Sequence, residues 1–382
     1  MEELLYPINN QTFEKIRENG RVYIDKTEFI YKLLKYSDYV FLSRPRRFGK
    51  SLLVSTLEAF FKGKRHLFKG LAIDRLMPEE WLEYPVLHLD LSNSDFTDSG
   101  VLTNALATFM SRYEEEYGIT EKNQDIAKRF EILIRKISSE EDKKVVVLID
   151  EYDSPIVQTM GNGKLQDEMR RILHAFYSTL KTMDAYVRFC MLTGVTKYGK
   201  MSIFSGLNNL RDITFLDDYA SICGITEEEL RTVLTRGVQA LADSKGITVD
   251  EAYALLKDNY DGYHFSKGMV DVYNPYSLLN ALADKEILDY WFETGTPTML
   301  IRLLENLDTD IEALNGSEAS IRELSDISTS DFNPLALFYQ SGYLTIKGYD
   351  PDEDAFILGF PNREVERGFG CLKEPKQYHQ VK

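Results

Sequence analysis

The strongest constraint on this chain comes from two segments in which an apolar run ends in a chemically loaded tip. Phe41-Leu42-Ser43 leads into Arg44-Pro45-Arg46-Arg47-Phe48-Gly49-Lys50-Ser51 and then into a helical pattern. Val145-Val146-Val147-Leu148-Ile149 ends in Asp150-Glu151. A strand that feeds a tight Gly-Lys-Ser loop and then a helix aims main-chain N–H groups, an ammonium and a hydroxyl at one spot, which suits a triphosphate and its metal. Two adjacent carboxylates at a strand end suit Mg²⁺ and the activation of a water. In this reading Gly49 lets the backbone approach the phosphates, with Arg46, Arg47 and Phe48 completing the loop. Lys50 reaches the β and γ phosphates, and Ser51 and Asp150 hold the metal. Glu151 polarises the attacking water. The ligands expected are ATP and Mg²⁺, and the reaction expected is hydrolysis. One departure stands out: the full GxxxxGK[ST] pattern has Arg44 where its first glycine belongs, followed by Pro45.

Charge narrows the partners. The net charge of −16 disfavours a whole-surface nucleic-acid binder. Against it stands a basic island, Arg44, Arg46, Arg47 and Lys50, followed by Lys62, Lys64 and Arg65, which suits a small polyanion such as nucleotide phosphate. No apolar stretch reaches the roughly 18 residues of a membrane span. The first residues, Met1-Glu2-Glu3, are acidic where a secretory signal is basic. Three cysteines without a CxxC give no disulfide or zinc framework. A cytoplasmic protein is the expectation.

At 382 residues the chain is long enough for two or three cores. Short apolar runs at Tyr39 to Ser43, Val86 to Leu91, Val145 to Asp150 and Val187 to Thr193 alternate with helical periodicity at Ser51 to Lys62, Leu102 to Tyr117, Asn123 to Ser138 and Lys164 to Met183. That alternation predicts an α/β fold with a parallel sheet covered on both faces over residues 1–215. The strand at Val86 to Leu91 intervenes in sequence between loop and acidic strand. An extra strand between those two elements marks the glutamate-bearing branch of phosphate-loop ATPases. Residues 216–300 read as a mainly helical lid, opened by a capping box from Thr226 to Glu229. Pro297 to Leu307 and Asp310 to Leu314 read as helix. Residues 301–365 end in a helix and a hairpin that suggest a winged-helix-like segment, and residues 366–382 read as a frayed tail without a core side. Thr193, ending the fourth strand, is placed beside Asp150 to sense the γ phosphate or position water. Arg211 is a candidate to stabilise transition-state charge in cis or in trans, a surface salt bridge being the alternative. Asp153 reads as a turn or cap before Pro155, and His88 and His264 read as structural.

These motifs together resemble the AAA-ATPase-like proteins of bacteria and archaea, which often carry a C-terminal PD-(D/E)XK nuclease domain. The resemblance rests on Tyr23-Ile24-Asp25-Lys26-Thr27, Arg44 to Ser51, Leu148 to Ile156, Thr193-Gly194-Val195, Phe204 to Leu210, Tyr260-Asp261-Gly262-Tyr263, Tyr273 to Ser277, Trp291 to Pro297 and Phe338 to Leu344. It spans about residues 5 to 362. It implies that Arg44 in place of glycine is typical rather than a lesion. It also implies an ATPase core, a helical region and a winged-helix-like segment. The leading reading is a Mg²⁺- and ATP-dependent switch or slow ATPase; the alternative is a nucleotide-poised module whose winged-helix-like segment contacts DNA or a partner protein with little hydrolysis. A second copy of the chain is a further candidate partner. No later Asp with a Glu-x-Lys partner follows Gly359-Phe360-Pro361-Asn362, so nuclease activity is not expected. The tail reads as that of a truncated gene product, or of one whose nuclease half has been lost.

Overall fold

The computed structural model describes residues 4–79, 81–120, 125–197, 203–204, 207, 209–295, 314–325 and 334–372. The expected helices over Pro297 to Leu307 and Asp310 to Leu314 lie outside these residues, save for Leu314 at the end of the second.

The first part of the chain forms a five-stranded sheet, all of whose pairings are parallel. Helices α1 (Phe13–Glu18) and α2 (Thr27–Tyr36) precede β1 (Tyr39–Ser43), and α3 (Lys50–Phe61) follows the loop. Next come α4 (Ala72–Leu76), β2 (Val86–Asp90), α5 (Ser99–Glu116), α6 (Ile126–Glu141) and β3 (Val145–Asp150). Short α7 (Ser154–Gln158) and long α8 (Gly163–Thr182) lead to β4 (Val187–Gly194) and the two-residue β5 (Arg211–Asp212). The strand order is β2-β3-β4-β1-β5. An extra strand does separate the loop strand from the acidic strand, but it is β4. The Val86 run instead lies at the sheet edge beside β3. Strand order follows the crossovers, which composition does not encode.

Every residue of β1 and β3 is buried. That is why both read as unbroken apolar runs: a strand covered on both faces has no polar side to alternate with. Val40, Leu42, Val146, Leu148, Phe189 and Met191 face the layer containing α3. Tyr39, Phe41, Val147, Ile149, Cys190 and Leu192 face the layer of α5, α6 and α8. Helix α3 buries Leu53, Val54, Leu57, Phe60 and Phe61. At about 1.5–3 kcal/mol for each fully buried side chain, that anchor is strong enough to hold the phosphate-loop end of the helix in place.

Beyond the sheet, α9 (Glu227–Val233), α10 (Thr235–Lys245), α11 (Val249–Tyr260) and α12 (Pro275–Asp284) pack on a core of their own. Both halves of the Thr226–Glu229 capping box form. Glu229 also pairs with Lys26 at 2.6 Å, fastening this layer to the N-terminal arm. Helix α13 (Tyr290–Gly295) follows. A three-stranded sheet of order β6-β8-β7 contains β6 (Glu318–Ser320), β7 (Thr345–Asp350) and β8 (Ala355–Gly359), with α14 (Ile321–Ser325) and α15 (Pro334–Ser341) between β6 and β7. His264 fixes this small sheet to the helical layer through Ile346 O at 2.7 Å and Asp271 Oδ1 at 2.6 Å.

The chain then forms α16 (Arg363–Leu372), which corrects the expectation of a tail frayed from residue 366. Val365 and Phe369 are buried one turn apart. Residues 373–382 lie outside the described part.

Candidate phosphate and metal site

Registers bring the carboxyl ends of the strands into line: Ser43 pairs with Gly194, Ile149 with Leu192, and Asp90 with Asp150. Side chains alternate along a strand. Leu148 faces α3, so Asp150 does too, and by the same count so does Thr193. The two meet on that face, the Thr193 hydroxyl donating to Asp150 Oδ1. Asp150 is 3% exposed, and Thr193 is fully buried. The face is the one from which α3 begins, with Gly49 at φ 97° before Lys50. That left-handed turn strains any residue but glycine.

Glu151 leaves the strand with φ 53°, a region that non-glycine residues seldom occupy. The departure re-aims its carboxylate toward Lys50, whose Nζ lies 3.1 Å from Glu151 Oε1. The same ammonium donates to Arg44 O at 3.0 Å and Pro45 O at 3.2 Å. Burial pushes the Glu151 carboxyl up to about 7, the opposing pull of Lys50 being too weak to cancel it. Lys50, Ser51 and Glu151 open on a cavity of about 980 Å³, also lined by Arg46 and Arg47. A narrow apolar slot of about 80 Å³, lined by Val22, Ile24, Ile225 and others, shares Gly49, Leu52 and Pro275 with it.

Residues 7–204 match the family model described as "Predicted AAA-ATPase". A relative from Azotobacter chroococcum mcd 1, "Uncharacterized protein in vnfD 5'region", is 39% identical over 368 residues, which cover 94% of this chain and 68% of the relative. The chain belongs to the predicted AAA-ATPase family.

In this predicted AAA-ATPase, the arginine at the first-glycine position is not among the residues that line the cavity. Arg44 is 1% exposed. Its guanidinium donates to the carbonyls of Ser43 and Thr214 at 2.9 Å and of Tyr219 at 3.0 Å, and lies over the Phe265 ring at 4.3 Å. It therefore clamps the base of the loop to the segments that follow the sheet. The cavity side of the loop is left to Arg46 and Arg47, both exposed; Arg47 stacks on Tyr276 with its guanidinium carbon 4.1 Å from the ring centre. Phe48 is buried against Tyr263 and Phe265 and serves as an anchor, with no phosphate contact available to its side chain.

The structure does not bring Arg211 to the site within this chain. It pairs with Val40, at the amino end of β1, about 10 Å in strand rise from Ser43. Its guanidinium donates to Tyr36 O at 3.4 Å and Ser37 Oγ at 3.1 Å. Asp153 occupies the cap position of α7 without capping it. It accepts from Val195 N, Thr196 N and Thr196 Oγ1 instead, tying the acidic tip to the segment after β4. His88 sits on the edge strand and bonds Glu58 at 2.8 Å.

The sequence reading overlooked the N-terminal arm. Asn9, Gln11 and Lys15 line the same cavity, and α1 is held to α3 by Phe13 N donating to Ser55 Oγ at 3.0 Å. Nothing local in those residues signals a phosphate wall; only the packing of α1 on α3 puts them there.

Among the described residues no cluster of three or more His, Cys, Asp or Glu forms a protein-only metal cage. The donors present fit Mg²⁺ nonetheless, because Mg²⁺ is usually held by one or two carboxylates together with substrate phosphates and water. Ser51 and Asp150 are such a set, and the Ser51 hydroxyl makes no hydrogen bond with the described residues. No helix among the described residues is long and apolar enough to cross a membrane.

Proposed function

We propose that this predicted AAA-ATPase binds ATP with Mg²⁺ and hydrolyses it as a nucleotide-driven switch. The observation that carries the reading is the Lys50–Glu151 pair at the mouth of the cavity, beside the Asp150–Thr193 pair. Lys50 already bonds two loop carbonyls, so trading Glu151 for a phosphate oxygen keeps its donors satisfied. The trade releases Glu151 as a general base. Glu151 takes a proton from water as the water oxygen bonds to the γ phosphorus, and the bond from that phosphorus to ADP breaks. Thr193 keeps Asp150 oriented. Mg²⁺, held by Ser51 and Asp150, would neutralise phosphate charge. The apolar slot beside Gly49 suits the flat face of the nucleobase.

The DNA-binding alternative finds less support. Helix α15 occupies the position of a reading helix before the hairpin, yet Ala336 through Gln340 are all buried. The hairpin tip, Asp350-Pro351-Asp352-Glu353-Asp354, is acidic and opposes a phosphate backbone.

Turnover and affinity test the reading together. Glu151→Gln is expected to retain MgATP binding by calorimetry while turnover falls roughly 100- to 1,000-fold, the usual scale for losing a general base. Turnover at the wild-type rate in Glu151→Gln removes the base assignment. Arg211→Ala is expected to leave the rate of the monomer unchanged.

Proton linkage gives a second check. A carboxyl whose value rises from 4.5 to about 7 in the folded chain holds an extra proton between those limits, and the stability this contributes is lost as pH rises through 7. ATP without metal takes Lys50 from Glu151 and brings more negative charge, so the Glu151 value climbs further. Binding near pH 7.5 is therefore expected to take up a proton, seen as a dependence of binding heat on buffer ionisation enthalpy. The uptake assigned to Glu151 is expected to vanish in Glu151→Gln, and equal uptake in both proteins contradicts the exchange.

A further inference from the structure

We propose that Trp291 is a positioning residue for the phosphate loop, holding the Arg46 carbonyl so that the Arg47 amide is presented to a bound phosphate. The proposal rests on the nucleotide reading of the loop. Trp291 is 1% exposed, and its indole N–H donates to Arg46 O at 3.0 Å across 245 residues of sequence. Among the described residues no peptide bond is cis. In a trans peptide the C=O and the next N–H point to opposite sides, so fixing the Arg46 carbonyl toward the indole turns the Arg47 N–H away from it. Arg47 itself has φ 67°, and that unusual turn needs outside support to persist.

The indole is held in turn from the C-terminal part of the chain. Glu364 of α16 is fully buried and accepts from Trp291 N at 2.7 Å and Ser277 Oγ at 2.8 Å. Tyr276, beside Ser277, is the residue on which Arg47 stacks. The Trp291 ring packs on Tyr343 at 5.2 Å between ring centres. Gly342, at φ 89°, sits so close to Pro45 that an added Cβ would stand 2.8 Å from the Pro45 side chain. Loop, α12, α13 and α16 therefore share one joint. A loop that shifts when phosphate enters must move the indole, and a displaced indole must deform the loop.

Two tryptophans, Trp81 and Trp291, make the joint directly observable. Trp81 packs on Phe60 and Phe68, among residues that do not line the cavity. In a Trp81→Phe protein, emission from Trp291 is expected to change saturably on ATP addition, with the dissociation constant found by calorimetry. Trp291→Phe keeps an aromatic ring on Tyr343 but loses the N–H, and is expected to weaken ATP binding roughly tenfold, the scale of one hydrogen bond. Glu364→Gln is expected to reduce the fluorescence change. Binding heat with a silent indole overturns the proposal alone, as does wild-type ATP affinity in folded Trp291→Phe. If Trp291→Phe does not fold, the emission of the Trp81→Phe protein still decides. No binding heat in the wild type overturns the nucleotide reading, and this inference with it.

Discussion

Lys50→Ala is expected to lower ATP affinity at least 100-fold while leaving the protein folded. The ammonium is the buried positive charge facing the cavity, 3.1 Å from Glu151 and in reach of whatever replaces that carboxylate. Charge-assisted hydrogen bonds contribute about 1.5–3 kcal/mol each, so losing one or two to the phosphates removes roughly 3 kcal/mol. The loop itself survives, because Phe48 and α3 are anchored in the core independently of Lys50. Lys50→Arg is not expected to rescue binding: a planar guanidinium does not fit a donor site shaped by two carbonyls on one side. Calorimetry with circular dichroism on the same samples checks both halves. Unchanged affinity in a folded Lys50→Ala protein removes the loop from the site.

Arg44→Gly restores the glycine of the general phosphate-loop pattern, and is nevertheless expected to destabilise the protein by about 3 kcal/mol or more. The carbonyl oxygens of Ser43 and Thr214 lose the guanidinium at once, while Tyr219 O keeps only the Ile222 N–H at 3.2 Å. Each buried acceptor left alone costs about 1–3 kcal/mol, with entering water recovering part of it. The Phe265 face also loses its cation, worth about 1–2 kcal/mol in a desolvated setting. Chemical denaturation of wild type, Arg44→Gly and Arg44→Lys is the measurement. A lysine offers one charged donor group to three dispersed acceptors and is expected to recover little. Equal stability in wild type and Arg44→Gly contradicts the clamp.

Much of the site was legible because its signals are local. A run of apolar residues ending in Asp150-Glu151, and another ending at a Gly-Lys-Ser turn, each declare a buried strand with its tip at the surface. Arg44 was not legible, since its partners Thr214, Tyr219 and Phe265 lie 170 or more residues away and belong to no pattern. The place of Arg211 within the chain was not legible for the same reason. Nearness to a polar loop says nothing about which end of β1 a two-residue strand will pair with. The last helix was a different kind of miss. Val365, Phe369 and Leu372 stand at helical spacing, but Gly368, Gly370 and Cys371 among them read as irregular chain. Burial of Glu364 beneath Trp291 supplies the packing that such weak propensity needs.

The three acceptors around Lys50 have a consequence for selectivity among anions. With every ammonium proton already engaged, a chloride or a lone sulfate entering the mouth must evict a carboxylate and gains only one contact in exchange. On the proposed nucleotide reading, a chain of linked phosphates would gain several contacts in one arrival, because its oxygens would meet the ammonium, the loop amides and the flanking arginines together. If the pocket is the proposed nucleotide site, its resting state is expected to screen the salts of its surroundings without a lid, by making entry worthwhile only for a chelating guest.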